Sequence, residues 1–157
     1  MIKLAVLCIS DRSNAGTRED LSGPAISDSL KDICETVSYE IVPDERPAIE
    51  EALIRLSDKT GAKVVITTGG TGFGPRDVTP EATLAVSTKM APGIAEAIRA
   101  KSLEITPYAM LSRAVSAIRG NCLIINFPGS PKACRECSEI VMPILEHAVK
   151  MLNGGDH

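Results

Sequence analysis

The sequence has two histidines, His147 near the end of a helix-period segment and His157 in the tail. Neither position suits the Ser-His or Cys-His relay of a hydrolase, so hydrolysis driven by a histidine base is set aside. Also missing is any stretch near the roughly 20 apolar residues of a membrane span. The opening MIKLAVLCIS is too short for a secretory leader and lacks a small-residue cleavage site; it reads as a first strand, and a cytoplasmic protein is expected. Positive charge is not in excess. A formal net charge of −3 argues against a broad nucleic-acid surface, while leaving room for a few cations to meet one small anion. The cysteines, Cys8, Cys34, Cys122, Cys134 and Cys137, are odd in number and scattered, as in a reduced protein. Cys134 and Cys137 spell C-x-x-C, half of a zinc or redox motif, but no second such pair and no histidine pair completes a ligand set. The alternative is structural, with Cys137 on the apolar face of a helix and Cys134 in its first turn.

The 157 residues, 44% hydrophobic and 24% charged, fit one globular domain spanning 1–157 that buries roughly two thirds of its unfolded surface. Ile2 to Ile9, Val64 to Ile66 and Leu123 to Ile125 are β-branched and aliphatic, as in strands covered on both faces, and Val37 to Val42 supplies another strand. Helix periods follow Pro24 (Ile26, Leu30, Ile33) and Pro47 (Ile49, Ala52, Leu53, Leu56), and recur near Pro80 to Val86 and Gly93 to Ser102. A last helix, about Lys132 to Leu152, carries Cys137, Ile140, Val141, Ile144, Ala148 and Leu152 as one stripe, with Pro143 expected to bend it. Alternation of strands and helices predicts a three-layer α/β/α sandwich with a mostly parallel sheet. No repeat or low-complexity segment interrupts it, and Asp11 to Gly23 reads as a polar loop.

In such a sheet, ligands bind beyond the C-terminal ends of the strands. The third strand runs into Thr67-Thr68-Gly69-Gly70-Thr71-Gly72-Phe73-Gly74-Pro75-Arg76-Asp77, where glycine lets the backbone turn tightly and bring N–H groups to an anion. The loop lacks both the Gly-Lys-Ser/Thr of a P-loop and the G-x-G-x-x-G of a dinucleotide fold, so a purely structural turn is the competing explanation. Asp44, after the second strand, and Asp77 add carboxylates, the hard donors that Mg²⁺ takes together with phosphates. Asp44 could instead cap the helix near Pro47, and Asp77 could brace the turn before Thr79 and Pro80. Beyond the final strand, Pro128-Gly129-Ser130-Pro131-Lys132 opens a helix with a cation at its mouth, a second place for an anion. Ser10, Asp11 and Arg12 complete a ring of polar loops.

TTGGTGFGPRDVTPEAT (Thr67 to Thr83), PDE (Pro43 to Glu45), ITPYAMLSRAVSAIRGNCLIINFPGSPKA (Ile105 to Ala133) and SDR…SGP (Ser10 to Pro24) closely resemble the molybdopterin adenylyltransferase family. Its members include bacterial MogA and MoaB proteins and the G domain of gephyrin. The likeness covers nearly the whole chain, in order. It implies a three-layer α/β trimer in which the terminal phosphate of molybdopterin attacks the α-phosphorus of ATP, with Mg²⁺ assisting and pyrophosphate leaving. By motif, Asp44 and Asp77 are implied as the catalytic, magnesium-handling pair. Thr68, Gly69, Gly70, Thr71 and Gly72 are implied as the nucleotide cradle, and Ser10, Ser112, Arg113, Gly129, Ser130 and Lys132 as nucleotide or pterin contacts. Ser112 and Arg113 have holding of local backbone as an alternative role. Longer members carry an insertion near the C-terminus that is lacking here, and some short ones resemble pterin carriers more than enzymes; the presence of both Asp44 and Asp77 favours the enzyme.

Overall fold

A computed structural model describes residues 1–156; His157, and with it the end of the expected tail and domain, lies outside the described residues. Strands β1 (Ile2–Ile9), β2 (Cys34–Val42), β3 (Val64–Thr68), β4 (Lys89–Met90), β5 (Ser116–Arg119) and β6 (Cys122–Phe127) form one sheet in the order β2-β1-β3-β6-β5-β4. The first four positions of that order are mutually parallel, while β5 runs antiparallel to both β6 and β4. Helices are α1 (Asp11–Asn14), α2 (Ser22–Ser29), α3 (Arg46–Lys59), α4 (Thr79–Val86), α5 (Pro92–Leu103) and α6 (Pro131–Leu152), with a 3₁₀ turn at Pro107–Leu111.

The period of two along a strand divides the core between the faces of the sheet. Leu4, Val6, Ile66 and Ile125 pack under α2, α5 and α6, whereas Ala5, Leu7, Val65 and Ile124 pack under α3 and α4. Helices thus cover both faces, and the predicted three-layer sandwich stands. No described helix is long and apolar enough to cross a membrane.

Several expectations need correction. Ile33 sits in the turn after α2 rather than in it, and β2 begins at Cys34, three residues before the expected start. The polar loop from Asp11 contains the single turn α1. In α6 the buried ridge is Cys134, Cys137, Val141 and Leu145, while Ile144 is exposed and shares a shallow apolar groove with α5. The helix continues through Pro143, whose missing N–H removes one internal hydrogen bond. Strands β4 and β5 and the 3₁₀ turn have no counterpart in the expected elements, being too short to show a period.

Candidate active site

Strand order places the exits of β2, β1, β3 and β6 side by side, so four loops that are distant in sequence meet at one edge. They enclose a polar cleft of about 460 Å³. Ser10, Asp44, Thr68, Gly69, Gly70, Asp77 and Gly129 line it, together with Asp11, Arg12, Arg18 and Asp20. The expected proximity of Asp44 to the glycine loop holds, although β1 separates β2 from β3: a Cβ at Gly70 would lie 3.2 Å from Asp44 Oδ1.

The exits of β3 and β6 are fastened together. Buried Thr68 donates its hydroxyl to the Pro128 carbonyl (2.8 Å), and the Gly69 N–H reaches the Phe127 carbonyl (3.3 Å). A side chain at Gly69 would strike the Ile9 carbonyl at 2.3 Å, and φ at Gly69 (+98°) and Gly70 (+69°) lies in the left-handed region, so glycine is required at both. Gly72 has no positive φ; there a Cβ would meet the Asp77 carboxylate at 3.0 Å.

The carbonyls of Gly69 to Gly72, Gly74 and Asp77 each accept from a protein donor. Thr79 Oγ1 donates to Gly69 O (2.9 Å), Thr79 N to Gly70 O (3.1 Å) and Asp77 N to Gly74 O (3.0 Å). Arg113 supplies its backbone N–H to Thr71 O (2.8 Å), Nε to Gly72 O (2.8 Å) and Nη2 to Asp77 O (2.8 Å), while Nη1 pairs with Glu81 (2.7 Å). By contrast, the N–H groups of Gly70, Thr71, Gly72 and Phe73 donate to no protein acceptor among the described residues. Consecutive free amides in a tight turn are the ordinary construction of an anion nest.

Asp77 Oδ2 accepts from Gly74 N (2.9 Å), so its bracing of the turn is realised; Asp44 does not cap α3, whose N-cap is Glu45 without a side-chain bond. Asp44 instead accepts from Asp11 N (2.9 Å), and its own N–H donates to Asp11 Oδ1 (3.0 Å). Arg76 grips Asp11 through Nε (3.0 Å) and Nη2 (2.9 Å). Those hydrogen bonds, with the Asp44 N–H, hold the Asp11 carboxyl below the usual range. Asp44 shows the reverse. Burial pushes its carboxyl upward, the Asp11 N–H partly opposes this, and the charges of Asp11 and Asp77 push it further. A half-buried carboxylate facing two others is a place where a hard cation lowers the electrostatic energy. Two carboxylates with room for phosphate oxygens fit Mg²⁺, which seldom takes an all-protein cage, and no described cluster of three such side chains offers one.

Of the expected residues, Thr71, Gly72, Ser112, Arg113, Ser130 and Lys132 are not among those lining the cleft. Ser130 caps α6 by accepting from Ala133 N (3.1 Å), and Lys132 points into solvent, 3.8 Å from Glu136. Ser112 closes the 3₁₀ turn, accepting from Ala114 N (3.3 Å). Ser10 lines the cleft while capping α1 through Ser13 N (3.1 Å). Sequence reasoning missed Asp20, which accepts from Ser22 N (2.9 Å) and Gly23 N (3.1 Å) and from the Tyr39 hydroxyl. Its signal was present: Asp two residues before Ser, at a helix start, is the spacing of an Asx turn. Arg18 and Arg76 carried no comparable signal. Cys8 also lines the cleft, but burial and Asp20 push its thiol up to about 12, which keeps it protonated and inert. His147 is far from this edge, on the α5–α6 groove.

Fold and cleft together define a three-layer α/β protein with a polar, carboxylate-bearing cleft at the carboxyl edge of its parallel strands. Residues 5–147 match the family described as a probable molybdopterin binding domain. The chain is 47% identical, over 98% of its length and 89% of the relative's, to the molybdopterin adenylyltransferase of Helicobacter pylori strain J99. Among solved structures it resembles the molybdopterin biosynthesis enzyme MoaB of Thermus thermophilus (TM-score 0.92, 43% identity, 98% of both chains). It also resembles the tungsten cofactor synthesizing protein MoaB of Pyrococcus furiosus (TM-score 0.88, 38% identity, 96% of both chains). The chain belongs to the molybdopterin adenylyltransferase family, and is an enzyme of the nucleotidyltransferase class.

Proposed function

We propose that this chain binds molybdopterin and Mg-ATP in the cleft and transfers AMP to the pterin's terminal phosphate, a step of molybdenum cofactor assembly. The observation that carries the proposal is the meeting at one cleft of Gly70, the first of four consecutive free amides, with the carboxylates of Asp44 and Asp77. A phosphate oxygen of molybdopterin forms a bond to the α-phosphorus of ATP, the bond from that phosphorus to the β-bridging oxygen breaks, and pyrophosphate leaves. A phosphate monoester is largely dianionic at neutral pH, so the nucleophile needs no base, which agrees with a cleft without histidine. What remains for the protein is alignment and charge neutralisation. The amides of Gly70 to Gly72 hold triphosphate oxygens, Thr68 and Gly129 fix the floor, and Asp44 and Asp77 hold Mg²⁺. That ion supplies charge neutralisation to the triphosphate when bound.

Tyr108, Met110 and Leu111 present exposed apolar surface on the 3₁₀ turn, and we assign this surface to contact with other copies in a homotrimer. The proposed activity is tested by incubating the protein with molybdopterin and Mg-ATP and examining the pterin by mass spectrometry. A product heavier by one AMP supports it; unmodified, protein-bound pterin would make the chain a carrier instead.

A further inference from the structure

We propose that Arg113 is a positioning residue for the phosphate cradle, acting through the loop's carbonyls and without touching the nucleotide. The inference rests on the proposed role of the glycine loop. A trans peptide is planar, so its C=O and the following N–H point in opposite directions. Fixing the carbonyls of Gly69 and Gly70 on Thr79 therefore turns the amides of Gly70 and Thr71 the other way. Fixing those of Thr71 and Gly72 on Arg113 does the same for the amides of Gly72 and Phe73. These are the four N–H groups without a protein acceptor. The Thr71 carbonyl is held by the Arg113 backbone N–H, so the side chain itself fixes the Gly72 carbonyl through Nε and, through Nη2 on Asp77 O, holds the far end of the loop beside the Asp77 carboxylate.

Each of the three guanidinium nitrogens makes a bond. Nε and Nη2 are taken by carbonyls and Nη1 by Glu81, whose carboxylate is held below its usual range by this bond. Its charge is thus spent on Glu81 on the α4 side of the loop, and Arg113 is not among the residues lining the cleft. Only arginine presents several donors in one rigid plane; a lysine ammonium is a single point and cannot span Gly72 O, Asp77 O and Glu81 together.

The test is titration of the full chain with Mg-ATP and, separately, with adenosine, which has no phosphate for the cradle. For Arg113→Lys and Arg113→Ala alike, the expected result is at least a tenfold loss of Mg-ATP affinity with adenosine affinity unchanged. Arg113→Lys binding Mg-ATP within twofold of the parent would overturn the proposal, because a simple cation would then suffice. Equal losses for both ligands would also overturn it, as they signify general loosening. Should Arg113→Ala fail to fold, Glu81→Gln decides alongside the lysine variant, with a smaller loss confined to Mg-ATP expected and no loss contradicting the brace. Gly70→Val separates the two levels. If it also binds Mg-ATP normally, the cradle itself is wrong; if it alone loses binding, only the role of Arg113 falls.

Discussion

Asp11 and Asp44, 33 residues apart, hold each other by reciprocal bonds: each backbone N–H donates to the other's carboxylate, at 2.9 and 3.0 Å. The exchange locks the exit of β1 to that of β2 and leaves Asp44 one defined orientation at the cleft. Supporting partners of a metal-binding carboxylate typically matter 10- to 100-fold. Asp11→Ala is therefore expected to lower adenylylation by roughly that factor while leaving the fold intact, and kcat at saturating substrates should carry the loss. Parent-like kcat would mean that Asp44 needs no such support.

At Gly70 a side chain meets two obstacles, a φ of +69° and the Thr79 hydroxyl 2.3 Å from the would-be Cβ. A β-branched residue there is strained by about 1–3 kcal/mol, so Gly70→Val should melt roughly 2–10 °C lower. The folded variant should lose measurable Mg-ATP affinity. Calorimetric titration checks this, and retained affinity would leave the loop a structural turn.

Burial pushes all five thiols upward from 9.0, Cys34, Cys122 and Cys134 to about 11 and Cys8 and Cys137 to about 12. The fold favours the neutral thiol, so this contribution is fully present below pH 9 and is lost as pH rises towards 11–12. Within that window each thiol adds a slope of up to about 1.4 kcal/mol per pH unit. Urea unfolding should show a stability loss between pH 8.5 and pH 10.5 (roughly the onset and middle of that window) that is reduced by Cys137→Ala. At pH 8 the native thiols should resist a disulfide reagent that labels the urea-unfolded chain at once. Rapid native labelling would contradict the buried, neutral state.

Sedimentation equilibrium at micromolar concentration should return about three times the chain mass. Tyr108 and Met110, 77% and 68% exposed, are the side chains assigned to the contact, and Met110→Glu should shift the distribution towards monomer. Ala114, three residues further on from Leu111, is buried within the chain and contributes nothing to this surface. A monomeric parent would contradict the assembly.

The layers of the fold were legible because the long strands and helices carry clear periods: Ile49, Ala52, Leu53 and Leu56 are all buried on α3, and β1 and β3 are covered on both faces. The short β4 and β5 were not, because two to four residues hold no period. At the site, loop position could be read from strand exits, which brought Asp44, Gly70 and Asp77 together correctly. Whether a polar side chain faces the cleft or the backbone behind it could not. Ser130 and Arg113 both have residue types suited to phosphate, yet one caps α6 and the other braces the glycine loop. The Ser130 cap is local, a bond to Ala133 three residues on, whereas the role of Arg113 is set by contacts with a segment some 40 residues away, such as Gly72, which local sequence does not contain.

In the proposed reaction the cleft makes a phosphoanhydride bond at the expense of ATP, using Asp44 and Asp77. Continuous measurement of pyrophosphate during incubation with molybdopterin and Mg-ATP tests it most directly. The expected result is one pyrophosphate per pterin, none without pterin or Mg²⁺, and a fall of orders of magnitude in Asp44→Asn and Asp77→Asn with melting temperature and pterin binding nearly unchanged. Pterin binding with no pyrophosphate from the parent protein, or undiminished release from both variants, would contradict it.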